Sequence, residues 1–288
     1  MARTILQPIC MTAAAQLRES CALGAEVRIW WLGQAGFCVS GAGLNILVDP
    51  YLSDHLAQKY RGREFSHIRM MPSPVRPEDA RAVDYVLCTH RHGDHMDPEA
   101  LRAILKTSAE CRLVGPAAER STIYSLVPDV QRAILVNGGD ELPLERGNRI
   151  EVIASAHEQL TCNDRGEHHF VGYIIQLNGT RIYHSGDCVP YPGLVECLRS
   201  RRVHLALLPV NGRDPYLADR GVAGNFQLEE ALDLFLEAEI PAMICHHFGM
   251  FRFNTVPTRL IQERLDQMNL NERVLIPSIY SGYLVDCR

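Results

Sequence analysis

The stretch Thr89-His90-Arg91-His92-Gly93-Asp94-His95 places three imidazoles and a carboxylate in the order H-x-H-x-D-H. Imidazole nitrogen and carboxylate oxygen are the donor groups a divalent cation takes. Upstream, Val83-Asp84-Tyr85-Val86-Leu87-Cys88 is a short apolar run expected to form a buried strand. Downstream, Pro98 opens a helical pattern through Glu99-Ala100-Leu101-Arg102-Ala103-Ile104-Leu105. The cluster therefore falls on a strand-to-helix turn, where a rigid scaffold carries functional side chains. The plain alternative is a solvated turn rich in His and Asp, which requires several chemically selective residues to coincide in one loop.

On the N-terminal side, residues 1–24 suggest an extended arm followed by a helix from Thr12 to Leu23, a packing arm or an oligomer contact apart from a single domain over 25–288. Val27 to Leu32, Phe37 to Ser40 and Leu44 to Val48 are three strands joined by glycine turns, a β-meander that ends in Asp49-Pro50. Residues 51–82 hold Pro72, Pro74, Pro77 and Met70-Met71, and form either a lid or a surface excursion. On the C-terminal side, strand and helix patterns alternate. Arg149 to His157 is a long strand, Phe170 to Leu177 and Thr180 to His184 form a hairpin across Asn178-Gly179, and Val203 to Leu208 and Ala242 to Cys245 are buried strands. Helices are expected at Ala117 to Leu126, Tyr191 to Leu198, Gln227 to Ala238 and Pro257 to Met268. Two halves of similar outline imply an α/β protein, two sheets facing each other with helices outside.

The 288 residues suit one large domain, and 47% hydrophobic content supplies a sizeable core. The net charge of −5 and the absence of a basic stripe argue against a nucleic-acid partner. The ten cysteines include no C-x-x-C, and several lie in apolar runs, which points to free thiols in a reducing compartment. No signal peptide is recognisable, and no apolar run approaches the roughly 20 residues of a membrane span, so a cytoplasmic protein is expected.

Residues of the metal-binding type recur where strands finish: Asp49, the His90–His95 loop, His157, Asp187 and His247. Their long, irregular intervals have no local explanation, whereas convergence of strand ends at one sheet edge accounts for them. In this order the residues resemble the metallo-β-lactamase fold superfamily of metal-dependent hydrolases, over roughly residues 27–285. Trp30-Trp31-Leu32-Gly33-x-x-Gly36, Tyr183-His184-Ser185-Gly186-Asp187, Asn211-Gly212-Arg213-Asp214 and Ile244-x-x-His247 are similar to the L-ascorbate-6-phosphate lactonase group within it.

The resemblance implies an αββα sandwich of two mixed sheets and one or two divalent ions, zinc or manganese before iron. His90, His92 and His157 would hold one ion and Asp94, His95 and His247 the other, with Asp187 bridging. Asp49 would sit behind the ligands and brace the loop. Asp94 would also orient the nucleophile. Of the adjacent pair, alternation on a strand leaves one for the metal, and the family pattern favours His247. His246 is then a core histidine or a substrate contact. His184 is either a catalytic donor in the pocket or a strand-face histidine. Asn211 and Arg213 are candidate substrate contacts, since a guanidinium fork suits phosphate or carboxylate. The expectation is a hydrolase that opens a sugar-type, possibly phosphorylated, lactone, with a small anionic substrate and a homo-oligomeric state. A phosphodiesterase or nuclease on the same fold is the alternative, and a di-iron redox protein a more distant one.

Overall fold

Alternation along Val27-Arg28-Ile29-Trp30-Trp31-Leu32 decides where the layers lie. Ile29 and Trp31 face one apolar layer, Trp30 and Leu32 the other, as period-2 strand geometry requires. The first layer lies between two sheets and the second beneath helices. The computed structural model describes residues 3–287. In chain order the strands are β1 (Thr4–Ile9), β2 (Val27–Gly33), β3 (Gly36–Gly41), β4 (Leu44–Val48), β5 (Tyr85–Leu87), β6 (Arg112–Pro116), β7 (Ala133–Val136), β8 (Glu141–Pro143), β9 (Arg149–Ala154), β10 (Val171–Leu177), β11 (Thr180–His184), β12 (Leu205–Pro209), β13 (Ala242–His246), β14 (Val274–Leu275) and β15 (Gly282–Cys287). One sheet has the order β1-β15-β2-β3-β4-β5-β6-β7 and the other β14-β13-β12-β11-β10-β9-β8. Both are mixed, so the expected αββα sandwich is the observed one.

Strand direction places the functional edge. β4, β5 and β6 run parallel, as do β11, β12 and β13. β9 is antiparallel to β10, which is antiparallel to β11, so β9 and β11 finish at the same edge. By the same logic β2 finishes where β4 does. The carboxyl ends of parallel strands are where open α/β sheets place their sites. Between the sheets Phe37, Val39 and Ile46 meet Tyr173, Ile175 and Leu207, all fully buried. Truncating a ring such as Phe37 in such a layer typically costs about 3–5 kcal/mol.

The helix after the metal-type loop runs from Pro98 to Thr107. Asp97 caps it by accepting from the backbone N–H groups of Glu99 and Ala100. The same carboxylate accepts from the Leu52 and Ser53 N–H groups and the Ser53 hydroxyl, which ties the loop to residues 51–54. Ala100, Leu101, Ile104 and Leu105 form its buried face.

The N-terminus departs from expectation. Its helix is only Ala13–Gln16, and Thr4–Ile9 is a sheet strand paired with β15. The Leu17 carbonyl accepts from the Arg81 and Ala82 N–H groups, and the Gln16 side chain donates to Asn45 Oδ1. Those partners hold the chain out of a longer helix. Among the described residues no helix is long and apolar enough to cross a membrane.

Candidate metal centre

Asp49 follows β4, the His90–His95 loop follows β5, His157 lies just beyond β9, Asp187 just beyond β11, and His247 immediately after β13. The donor atoms of His90, His92, His157 and Asp187 fall within 4.8 Å of one another, and so do those of Asp94, His95 and His247. Asp187 stands between the groups. Its Oδ2 lies 3.8 Å from His157 Nε2. Its Oδ1 lies 3.2 Å from both His95 Nε2 and His247 Nε2. Asp94 Oδ2 is 3.8 Å from His247 Nε2 and 3.9 Å from His95 Nε2.

The donor set fits a divalent ion on grounds internal to the protein. His95 Nε2, His157 Nδ1 and Asp187 Oδ1 are buried with no hydrogen-bond partner, a state that buried polar atoms avoid unless something else satisfies them. Behind them, Asp49 Oδ2 accepts from His95 Nδ1 at 2.7 Å and from the Thr89 hydroxyl at 2.6 Å, while Oδ1 accepts from the Thr89 N–H at 2.8 Å. That fixes the His95 ring with its Nε2 facing Asp187, the carboxylate–histidine arrangement of metal sites.

The charges are strongly coupled. Burial pushes the Asp187 carboxyl up, but the His247 and His95 imidazoles hold it well below the ordinary range. Burial pulls His95 down, and the carboxylates of Asp187, Asp49 and Asp94 outweigh it, so this imidazole sits well above the usual range. His90 is held well below its usual value by burial and by His95 and His92. Burial, with His157, lowers His92 to about 4. His90 and His92 are thus neutral near pH 7, the form that ligates metal.

Four residues expected as possible contacts are engaged elsewhere in the fold. His184 is fully buried, its Nε2 2.8 Å from the Ala35 carbonyl while its Nδ1 accepts from the Gly186 N–H. Both nitrogens are engaged by backbone, so His184 holds the turn before Asp187 and offers no donor to a pocket. His246 is also fully buried, stacked on His184 with centroids 5.0 Å apart and packed on the Phe37 edge. It packs in the intersheet core beside Phe37. Arg213 makes a bidentate ion pair with Glu230 at 2.6 Å and donates to the Asn225 carbonyl. The Asn211 amide donates to Asn254 and accepts from Asn225. Both residues clamp the 211–227 loop beside a cavity of about 250 Å³ that none of the seven clustered residues lines.

Residues 51–82 form a wall packed onto the centre. A Cβ on Gly93 would lie 2.6 Å from Leu56 Cδ2, and one on Gly33 or Gly249 would lie 3.0 or 2.9 Å from the end of Met71. His67 stacks on Tyr60 and meets the edges of Phe251 and Phe253. Tyr51 and Phe251 of this aromatic wall share an apolar cluster with Leu56, which bears on Gly93 next to Asp94.

One residue of the site carries no metal-type signature. Gln34, in the turn between β2 and β3, is fully buried, and its Nε2 lies 2.8 Å from Asp94 Oδ2 and 3.1 Å from His247 Nε2. The sequence shows only a hairpin turn there. The signal was directional, because β2 ends at the same edge as β4.

The sandwich with two donor groups at one edge defines a metallo-β-lactamase-fold protein. The chain belongs to the beta-lactamase superfamily, whose domain model matches residues 44–248. A UPF0173 metal-dependent hydrolase of Methanopyrus kandleri is 26% identical over 254 residues, 87% of this chain and 96% of that one. A protein of Escherichia fergusonii described as a "Probable L-ascorbate-6-phosphate lactonase" is 27% identical over 187 residues, 55% of this chain and 53% of that one. An isothiocyanate hydrolase from Delia radicum gut bacteria shares the fold, with a TM-score of 0.72 at 20% identity, covering 88% of this chain and 97% of that one.

Proposed function

We propose that this metal-dependent hydrolase opens a small ester ring, a sugar-type lactone, at a centre of two divalent ions. The observation that carries the reading is Asp187, one oxygen facing His157 and the other facing His95 and His247. Bound divalent ions polarise a carbonyl oxygen and bring the pKa of a water toward neutrality. His90, His92 and His157 would hold one ion, and Asp94, His95 and His247 the other.

The chain's own groups do the rest. Asp94 Oδ2, next to His247 and only half-buried, accepts a hydrogen bond from the attacking water and orients it toward the substrate carbonyl. Asp49 and Thr89 keep His95 from rotating. The half-buried cluster of His67, Tyr60 and Phe253, whose rings pack on one another, would offer the substrate ring an apolar wall. With Arg213 held by Glu230, recognition in this reading rests on shape and on the metal centre more than on a substrate charge. Likeness to the E. fergusonii protein supports the lactone.

The test is hydrolysis of sugar lactones, with and without a phosphate, by protein loaded with Mn²⁺ or Zn²⁺, against bis(p-nitrophenyl) phosphate. Lactone turnover that exceeds phosphodiester turnover is the expected result. The reverse order would move the protein to phosphodiester chemistry, and no turnover of any lactone would end the lactonase reading.

A further inference from the structure

We infer that Gln34 is an additional ligand of the second ion, through its side-chain amide oxygen. The inference rests on the two-ion reading of the centre. Gln34 Nε2 lies 2.8 Å from Asp94 Oδ2 and 3.1 Å from His247 Nε2. Adjacent ligands around an octahedral ion with bonds of 2.0–2.1 Å are separated by about 3 Å. The amide end of Gln34 therefore already stands at ligand-to-ligand distance from two members of the group.

The chemistry of the amide explains which end faces them. The Asp94 carboxylate oxygen is an acceptor, so without a cation beside it the N–H end of the amide is the one it attracts. A cation bound by Asp94 and His247 would repel the N–H end and attract the amide oxygen. Rotation of the amide by half a turn brings Oε1 to the same place. Oε1 is buried and has no hydrogen-bond partner in its present position, so this acceptor is unmet as it stands, and after the rotation an ion would meet it.

The backbone carries an independent sign. Gln34 has φ 51°, the left-handed region, in a turn where glycine or asparagine is the usual occupant. Such a conformation costs a bulky residue on the order of 1–3 kcal/mol and persists only where its surroundings over-determine it. Here they do. The Gln34 carbonyl accepts from Trp31 Nε1 at 2.9 Å and from the His247 N–H at 2.9 Å. Those two bonds couple the side chain's position to the ligand His247.

The experiment titrates metal-free protein with Co²⁺, following heat and visible absorption, for the wild type, Gln34→Gly and Gln34→Glu. Glycine removes the amide and favours the left-handed backbone, so the fold is retained, as far-ultraviolet circular dichroism would verify. The wild type is expected to take up two equivalents. Gln34→Gly should weaken one of them about 10–100-fold, leave the other unchanged and alter the cobalt bands. Gln34→Glu, which supplies a carboxylate oxygen, should retain both. Unchanged affinities and bands in Gln34→Gly, or a tighter second equivalent, would overturn the assignment; the latter would mean that the amide N–H competes with the ion. Loss of the second equivalent in Gln34→Glu would overturn it as well. Uptake of a single equivalent by the wild type would remove the two-ion reading and the assignment together, whereas two equivalents with an indifferent Gln34→Gly would remove the assignment alone.

Discussion

Asp49 and His95 are both fully buried, and the carboxylate Oδ2 lies 2.7 Å from the imidazole Nδ1. That contact fixes the ring with its Nε2 facing Asp187, and Thr89 holds the carboxylate from the other side. Asp49→Asn keeps the volume and removes the charge. It should lower metal affinity about 10–100-fold, read by equilibrium dialysis, while the circular dichroism spectrum stays that of the two-sheet fold. Wild-type affinity in this variant would show that Asp49 braces the fold only.

Asp187 is the residue shared between the two groups, so its loss should differ in kind from loss of a peripheral ligand. Asp187→Asn is expected to reduce occupancy at both positions, whereas His157→Ala should affect one. Metal-to-protein ratios by elemental analysis distinguish them. Equal losses in the two variants would mean that Asp187 serves a single ion.

Acid should destabilise the metal-free protein from about pH 6.5 downward. His90, His92, His184 and His246 are all held below the usual histidine value of 6.5, chiefly by burial, His92 at about 4. A group with a lowered folded pKa binds fewer protons folded than unfolded in this window, so stability is present above the unfolded value and lost as pH falls toward the folded one. His95, raised by its carboxylates, has the opposite sign: its contribution is present below 6.5 and lost as pH rises. Because the His95 contribution is already complete below 6.5, the four lowered imidazoles set the slope toward acid lability there. Thermal melts between pH 7.5 and 4.5 measure it, and a melting temperature that rises on acidification would refute it.

Arg213 is paired with Glu230 through both terminal nitrogens. The pair is partly exposed, so Arg213→Met should cost no more than about 1 kcal/mol and leave KM within roughly threefold, below the effect of losing a charged contact to substrate. A KM that rises a hundredfold would make Arg213 a substrate contact after all.

Gly93 lies against Leu56, where an added Cβ would come within 2.6 Å of Cδ2. Gly93→Ala should therefore destabilise the protein by about 1–3 kcal/mol, and adding Leu56→Ala should recover part of that loss. Strict additivity in denaturant unfolding would mean that the wall of residues 51–82 does not press on the metal-type loop.

Much of this was readable in the chain because period and spacing are local properties. Alternation marked the strands, H-x-H-x-D-H marked the donor atoms, and strand-end carboxylates and imidazoles marked Asp49, His157, Asp187 and His247. These residues meet because the strands that carry them finish at one edge. What the chain could not show were relations between segments far apart in sequence. A helix pattern at Thr12 to Leu23 gave way to backbone bonds from Arg81 and Ala82. A guanidinium suited to an anion was met by Glu230, and a histidine suited to proton transfer had both nitrogens taken by Ala35 and Gly186. Gln34 entered the centre through strand direction alone. Composition and spacing decide which chemistry a chain can perform, because donor atoms belong to residue types. Which of those donors remain free to perform it is decided by partners that only the folded chain brings within hydrogen-bonding distance.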